Sequence, residues 1–317
     1  MSERSAESQT ERSATSKPRV GLVGLGRMGL PIARRLIEAG HEVAGFDADP
    51  EAMARATATG VEGVKSAGNV ALTTEATFVV VGFDDELRSI CLEPSGLLSQ
   101  APPGHVIFVC STVKPETVIE LGELFDQRGI WLMDSTLCRS EHAAHDGTLL
   151  VLCGGDDEVY QAWEPTIRSF ASDVVLLGPL GAGQIGKMLN NLLLWINVVG
   201  NFEALRLGQL LGLDQASLIP ALQLGSGANW ALETWDKARP MPWAEDDLDI
   251  CLDLAERTGM AMPLAAVIRS RIEAIKVDKA TSTGGAASSM QAFLESLPTA
   301  PSSAGQVSRA DSKGSPE

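Results

Sequence analysis

The chain is short of cations: 25 Lys and Arg stand against 41 Asp and Glu, for a formal net charge of −16. No basic stripe exists to neutralise phosphates, so the sequence argues against a nucleic-acid partner. It also lacks any run of 18 or more apolar residues, which excludes a hydrophobic membrane-spanning helix. The first 17 residues are polar, with no signal-peptide core. The five cysteines (Cys91, Cys110, Cys138, Cys153 and Cys251) are odd in number and have no C-x-x-C spacing. Several lie in apolar, strand-like runs, as reduced core cysteines do. These absences lead us to expect a soluble, cytoplasmic protein without a membrane partner.

What is present starts at Val20. A short apolar run, Val20 to Val23, breaks into the turn Gly24-Leu25-Gly26-Arg27-Met28-Gly29. Helix-forming residues follow from Leu30 to Ala39, then a second apolar run that ends on Asp47. Strand, glycine turn, helix and second strand with a terminal acid make the mononucleotide half of a dinucleotide-binding fold. Gly24 permits the tight turn, Gly26 lets a pyrophosphate approach bare backbone, and Gly29 lets helix and strand pack closely. The helix N-terminus offers unpaired N–H groups to the phosphates. Leu25, Arg27 and Met28 complete the cofactor turn. Asp47 suits a ribose diol and repels a 2′-phosphate, so NAD is favoured over NADP. Its competing use is as a cap for the helix starting near Pro50, a task that fits Asp49 better.

The alternation continues. Thr77 to Gly82 has the continuous apolar character of a buried parallel strand. Gly82 and Phe83 at its end count with the cofactor-binding residues, because ligands lie at the carboxyl ends of such strands. A helix is expected from Asp84 to Gln100, and further strands over 105–110, 130–134, 148–154 and 174–177. Helices are expected from Pro115 and over 156–170. From Pro179 onward no strand pattern appears. A long helix is expected from Gly181 to about Leu211, apolar around nearly its whole circumference between Met188 and Val199 and hence buried. More helices are expected from Gln215 and Trp230, over 245–258 and 263–277, and in the block 288–297. The fold class expected is α/β, a doubly wound parallel sheet followed by an all-α domain. The divisions expected are a disordered tail over 1–17, a Rossmann-type NAD domain over 18–179, a helical substrate and dimerisation domain over 180–297, and a second disordered tail over 298–317.

Lys187 and Asn191 stand four residues apart, on one face of the long helix. Such a pair alone is compatible with a surface position. Its apolar surroundings argue for a polar notch, since a buried amide needs partners. At this point the chain resembles the β-hydroxyacid dehydrogenases, the family of 3-hydroxyisobutyrate dehydrogenase and tartronate semialdehyde reductase. The resemblance runs from about Val20 to Leu297. It rests on the 24–29 turn, on Cys110-Ser111-Thr112-Val113-Lys114-Pro115-Glu116-Thr117, on Gly181-Ala182-Gly183-Gln184-Ile185-Gly186-Lys187-Met188-Leu189-Asn190-Asn191, and on Gly225 to Glu233. It implies hydride transfer between NAD and a 3-hydroxy acid or aldehyde-acid. Lys187 would act as general acid/base, Asn191 would hold the reacting oxygen, and Thr112 would lie against the nicotinamide. A lysine in a desolvated cleft can have its pKa lowered to about 7–8, which suits proton transfer.

Two stretches depart from the family pattern. Where relatives carry Ser-Gly-Gly to grip the substrate carboxylate, this chain has Cys138, Arg139 and Ser140, which take the place of substrate-binding residues. Arg139 offers a planar fork to a carboxylate, or else turns out to solvent. Where many relatives carry Lys-Asp, this chain has Asp246-Asp247; Asp246 either inverts a local charge or serves as a helix-start acid. Cys138, His142 and His145, with Asp146 beside them, have a spacing that zinc can use. Arg139 opposes a cation there, and no metal is expected. Trp195 continues the Lys187–Asn191 stripe, either lining a pocket or packing in the core. Competing readings are an imine reductase, which the presence of Lys187 opposes, and a dinucleotide-binding module without catalysis. A carboxylate-bearing small molecule is the expected partner, and the apolar helix suggests a homodimer or homotetramer.

Overall fold

The computed structural model describes residues 17–283 and 288–298. The tails expected to lack order lie outside the described residues, apart from Lys17 and Pro298. The chain forms two compact units, Met1–Lys187 and Met188–Glu317.

The first unit alternates strand and helix. In chain order come β1 (Val20–Val23), α1 (Gly29–Glu38), β2 (Val43–Phe46), α2 (Pro50–Thr57), β3 (Glu62–Gly63), α3 (Ala67–Thr73) and β4 (Ala76–Val79). Then follow α4 (Asp84–Leu92), α5 (Leu97–Gln100), β5 (Val106–Val109), α6 (Pro115–Asp126), β6 (Trp131–Cys138), α7 (Ser140–Asp146), β7 (Leu149–Gly154), α8 (Asp157–Ile167) and β8 (Ala171–Gly178). The eight strands form one sheet in the order β3-β2-β1-β4-β5-β6-β7-β8. Every pairing is parallel except β6 with β7. From β1 the chain winds outward through β2 and β3, then returns to place β4 on the other side of β1. That reversal opens a crevice at the carboxyl ends of β1 and β4, where a doubly wound sheet takes its ligand.

The central strands are apolar without alternation because both faces of the sheet are covered. Leu22, Phe78 and Phe108 point into one core, and Val23, Val79, Ile107 and Val109 into the other. Phe78 and Phe108 stack at 4.8 Å between centroids, and Phe170 meets Phe78 edge-on at 5.5 Å. Such pairs add to the burial of large rings.

Three expectations need correction in this unit. The helix expected from Asp84 to Gln100 is two helices, because Glu93 precedes Pro94 and is pushed to an extended ψ of 158°. The strand expected over 77–82 stops at Val79; Val80 N still donates to the Val23 carbonyl at 2.7 Å, but beyond it Val81 N donates to Ser111 Oγ and Gly82 N to Glu86 Oε2. The strand expected over 130–134 runs on to Cys138, where it pairs antiparallel with β7. Its extra hydroxyls find partners in the interior. Thr136 Oγ1 lies 3.0 Å from the Gly183 carbonyl, and Ser135 Oγ lies 3.6 Å from Cys153 Sγ.

His105 precedes β5 and is buried, with its Nε2 2.9 Å from Thr77 Oγ1. Burial pushes its pKa down from the usual 6.5 to about 4, against a smaller upward effect of a backbone hydrogen bond at Thr74. The folded state therefore keeps the ring neutral while the unfolded chain takes up a proton below pH 6.5. Stability is retained above that pH and lost as pH falls towards 4, by up to about 3 kcal/mol. We expect the urea midpoint to drop over this window and His105→Gln to flatten part of that drop. Identical pH profiles for the two proteins would contradict the assignment.

The second unit begins inside α9 (Ala182–Leu210), which is followed by α10 (Gln215–Gln223), α11 (Trp230–Glu233), α12 (Ala244–Thr258), α13 (Pro263–Thr283) and α14 (Met290–Ser296). Its core gathers Met188, Leu192, Trp195, Val199 and Phe202 of α9 with Leu248, Ile268, Ile272 and Phe293. The spacing of the α9 residues marks one helix face. Within the single chain, cover for α9 is one-sided. Leu189 and Leu193 stay 54% and 61% exposed, because one chain covers only one face. Among the described residues no helix is long and apolar enough to cross a membrane.

Candidate active site

The cofactor crevice is built from the first glycine turn upward. Gly24 has a φ of +89°, a left-handed conformation that side chains disfavour. A Cβ on Gly29 would collide with the Gly24 carbonyl oxygen, so helix and turn meet at backbone distance. At Gly26 a Cβ would meet nothing within 4 Å, which leaves bare backbone facing open space. Asp47 closes the motif. Its Oδ2 accepts from Leu25 N at 2.6 Å and its Oδ1 from Asp49 N at 2.8 Å. The helix-capping role falls to Asp49, which accepts from Glu51 N at 2.9 Å. Asp47 thus serves the turn rather than a helix, and its oxygens keep lone pairs for a diol. These features fit a dinucleotide: open space over Gly26, an α1 N-terminus behind it, and an acid at the end of β2. Leu25 is buried, Met28 half-buried, and Arg27, Gly82 and Phe83 are exposed around the strand ends.

The segment after β5 carries Thr112, which the family resemblance assigns to the nicotinamide end. Thr112 is half-buried between two buried neighbours, Ser111 and Val113. Ser111 Oγ accepts from Val81 N at 2.8 Å, which joins this segment to the loop after β4. Lys114 N donates to Asp84 Oδ1 at 3.2 Å, and the Thr117 hydroxyl donates to the same oxygen.

The start of α9 is anchored on β6. Asp134 is fully buried and accepts from Gly181 N at 2.8 Å and from Gln184 N at 2.7 Å. Burial pushes its carboxyl pKa upward, while these helix-start donors pull it back. Three residues past Gln184, Lys187 sends its Nζ to the Leu137 carbonyl at 2.6 Å, near the end of β6. The ammonium is therefore held at the carboxyl end of the strand, with further donor protons left to use.

Asn191, one turn along, belongs to the second unit. Its Nδ2 donates to Asp247 Oδ2 at 2.9 Å, and Trp195 Nε1 donates to the same oxygen at 3.1 Å. Asn190 Nδ2 donates to Asn191 Oδ1 at 3.1 Å. Asp247 was missed as a site-shaping residue in the sequence. In the sequence it stood only as the second acid of Asp246-Asp247, where relatives carry Lys-Asp, with no role at Asn191. Trp195 itself is core, 6% exposed, rather than a pocket wall. Asp246 sits exposed in the first turn of α12, as a helix-start acid does.

The stretch that replaces Ser-Gly-Gly keeps a glycine-like backbone. Arg139 and Ser140 have φ values of +80° and +70°, consecutive left-handed residues without glycine. Each such residue costs about 1–2 kcal/mol. Part of that cost is offset by Arg139 Nη1, which donates to Asp173 Oδ2 at 2.6 Å, Ser172 Oγ at 3.0 Å and the Thr148 carbonyl at 3.2 Å. One nitrogen of the fork expected for a substrate carboxylate thus donates to a carboxylate of the protein itself, in a largely exposed pair. Cys138 is buried at the strand end, whereas Ser140 is exposed. Among the described residues no group of three His, Cys, Asp or Glu side chains is placed to hold a metal ion.

Comparison with known proteins agrees with this geometry. Residues 19–178 match the family model for the NAD binding domain of 6-phosphogluconate dehydrogenase. Residues 181–295 match that for the NAD-binding region of NADP-dependent 3-hydroxyisobutyrate dehydrogenase. The chain is 31% identical over 267 residues to a 3-hydroxyisobutyrate dehydrogenase of Pseudomonas aeruginosa, covering 79% of this chain and 90% of that protein. An NAD-dependent L-serine dehydrogenase of the same organism is 30% identical over 224 residues, covering 71% of this chain and 74% of that protein. In fold it is similar to Mycobacterium tuberculosis 3-hydroxyisobutyrate dehydrogenase solved with L-serine, at a TM-score of 0.76 and 24% identity, covering 88% of this chain and 98% of the other. With both units matched by such family models and a relative 31% identical over most of the chain, the chain belongs to the β-hydroxyacid dehydrogenase family of NAD-dependent oxidoreductases.

Proposed function

We propose that this enzyme oxidises a small 3-hydroxy carboxylic acid, or reduces the matching aldehyde-acid, with Lys187 as general acid/base. The observation that carries the proposal is the Lys187 Nζ at 2.6 Å from the Leu137 carbonyl, a cation fixed beside the strand end where the substrate-gripping stretch begins. The relatives' names point the same way, since 3-hydroxyisobutyrate and L-serine are both 3-hydroxy carboxylates.

The cofactor supplies the hydride acceptor, and the protein supplies position and proton management. Gly24, Leu25, Gly26, Arg27, Met28 and Gly29 form the phosphate turn, and Asp47 takes the adenosine ribose. Gly82, Phe83 and Thr112 flank the cofactor towards its reacting end. Lys187 removes the hydroxyl proton in oxidation and returns it in reduction. Asn191, steadied by Asp247, orients the reacting oxygen. Cys138, Arg139 and Ser140 meet the substrate carboxylate, while Arg139 Nη1 donates to Asp173.

An imine reductase reading is weaker, because a lysine cation suits a developing alkoxide better than a developing amine. A non-catalytic binding role leaves the fixed Lys187 without a purpose. The exposed Leu189 and Leu193 on α9 support a homodimer or homotetramer, since lone chains rarely leave such a stripe uncovered. The buried free cysteines support a cytoplasmic location.

The test is oxidation of NADH and NADPH against short aldehyde-acids, aryl aldehyde-acids and cyclic imines. We expect turnover of a short aldehyde-acid with NADH at least tenfold above NADPH. Faster turnover of an imine would replace the proposal with its rival.

A further inference from the structure

Gln184 is fully buried in the first turn of α9, yet it is polar, and an apolar side chain would fill the same space without a desolvation cost. Its amide is used at both ends. Nε2 donates to the Ser111 carbonyl at 2.8 Å, and Oε1 accepts from Val113 N at 3.0 Å. The two groups it holds are the backbone carbonyl before Thr112 and the backbone N–H after it. A single side chain thus brackets the residue assigned to the nicotinamide end of the cofactor.

The same residue is fixed from behind. Its own backbone N–H donates to Asp134 Oδ2 at 2.7 Å, and that carboxylate also holds Gly181 N. Asp134 lies on β6, three strands out from β1 in one continuous sheet and next to β5, which leads into Ser111. The helix start, the sheet and the Thr112 segment are therefore joined at one buried point. Lys187 lies three residues further along the helix, and its Nζ is tied back to β6 at Leu137.

We propose that Gln184 is a positioning residue for hydride transfer, setting the Thr112 segment at a fixed distance from Lys187. This rests on the hydroxy-acid reading above. Hydride and proton leave adjacent atoms of one substrate, so the nicotinamide and the proton acceptor must be placed together. A displacement of about 1 Å in such geometry costs on the order of 100-fold in rate. A rigid amide with two short bonds, seated on the helix that carries the base, meets that need. The other ties of the segment, to Val81 and Asp84, hold it to the β4 loop and to α4, and neither reaches α9.

The test uses Gln184→Met and Gln184→Glu in the full chain beside wild type. Each is assayed for kcat, for KM of NAD and of the hydroxy acid, and for the deuterium isotope effect at the carbinol carbon. For Gln184→Met we expect kcat to fall about 10- to 100-fold, KM for NAD to move less than about threefold, and the isotope effect to rise as hydride transfer becomes limiting. Gln184→Glu is near-isosteric. Its neutral acid has an O–H for the Ser111 carbonyl and an oxygen for Val113 N, whereas its anion has no donor. Its kcat relative to wild type should therefore recover as pH falls, a behaviour that a space-filling role does not produce. If Gln184→Met fails to fold, this pH profile decides.

The proposal is overturned if the folded variants keep kcat and isotope effect within about twofold of wild type. A flat Gln184→Glu to wild-type ratio across pH, or a loss that follows melting temperature alone, overturns it equally. Silence of the wild type with every hydroxy acid would instead remove the hydroxy-acid reading, and this proposal with it. That failure shows before any variant is assayed, so the two are told apart.

Discussion

Lys187→Met is expected to lower kcat by about three orders of magnitude while leaving the fold and cofactor binding in place. General acid/base groups contribute about 10²- to 10⁴-fold, and here the donor is pinned at 2.6 Å from the Leu137 carbonyl rather than sampling solvent. Methionine matches the length of the lysine stem but carries no proton and no charge. The Leu137 carbonyl loses a donor at a half-buried position, which costs about 1 kcal/mol and should lower the melting point by only a few degrees. NADH titration by tryptophan fluorescence should give a Kd within about threefold of wild type, because Lys187 lies outside the glycine turn. A variant that turns over at the wild-type rate would remove lysine from the chemistry and favour a substrate that carries its own acid.

Gly29→Ala is expected to damage the cofactor site and the fold together. The added Cβ would collide with the backbone oxygen of Gly24, which cannot move aside as a flexible side chain does. Gly24 is itself held at a φ of +89°, against the backbone of Val80. Relief requires α1 to lift away from β1, on which Ile32, Ala33 and Leu36 are packed. Overpacking of this kind costs about 1–3 kcal/mol, and more where backbone opposes it. We expect a melting point lower by several degrees and NAD affinity weaker by at least 100-fold. Gly26→Ala is the matched control. Nothing lies within 4 Å of its added carbon, so thermal stability should hold while the pyrophosphate is kept from the backbone and affinity falls. Equal stability losses in the two variants would show that the turn is not packed as described.

The cofactor turn was legible because it is a local device. Gly24, Gly26, Gly29 and Asp47 act within one strand–helix–strand unit, and their spacing states their task. The apolar runs of the central strands were equally plain, as both sheet faces are covered. Boundaries were less so. The break at Pro94 is a local effect that hydrophobic pattern alone passed over, whereas the extension of β6 to Cys138 depends on β7 being there to pair with it.

Arg139 marks the limit most sharply. Its chemistry suits a substrate carboxylate, and nothing in the sequence says that Asp173, 34 residues away, has already taken it. The same holds for Asp247, which reaches Asn191 across 56 residues, and for Gln184, which reaches Val113 and Ser111 across 71 and 73. The sequence by itself determined the cofactor turn, the alternation of strand and helix, and the lysine–asparagine face of α9. These follow from periodicity, turn chemistry and short-range spacing. Only the tertiary structure decided which carboxylate holds which cation and which amide brackets Thr112. A side chain's capacity to hydrogen-bond is written in its type, but its partner is chosen by the path of the backbone between them.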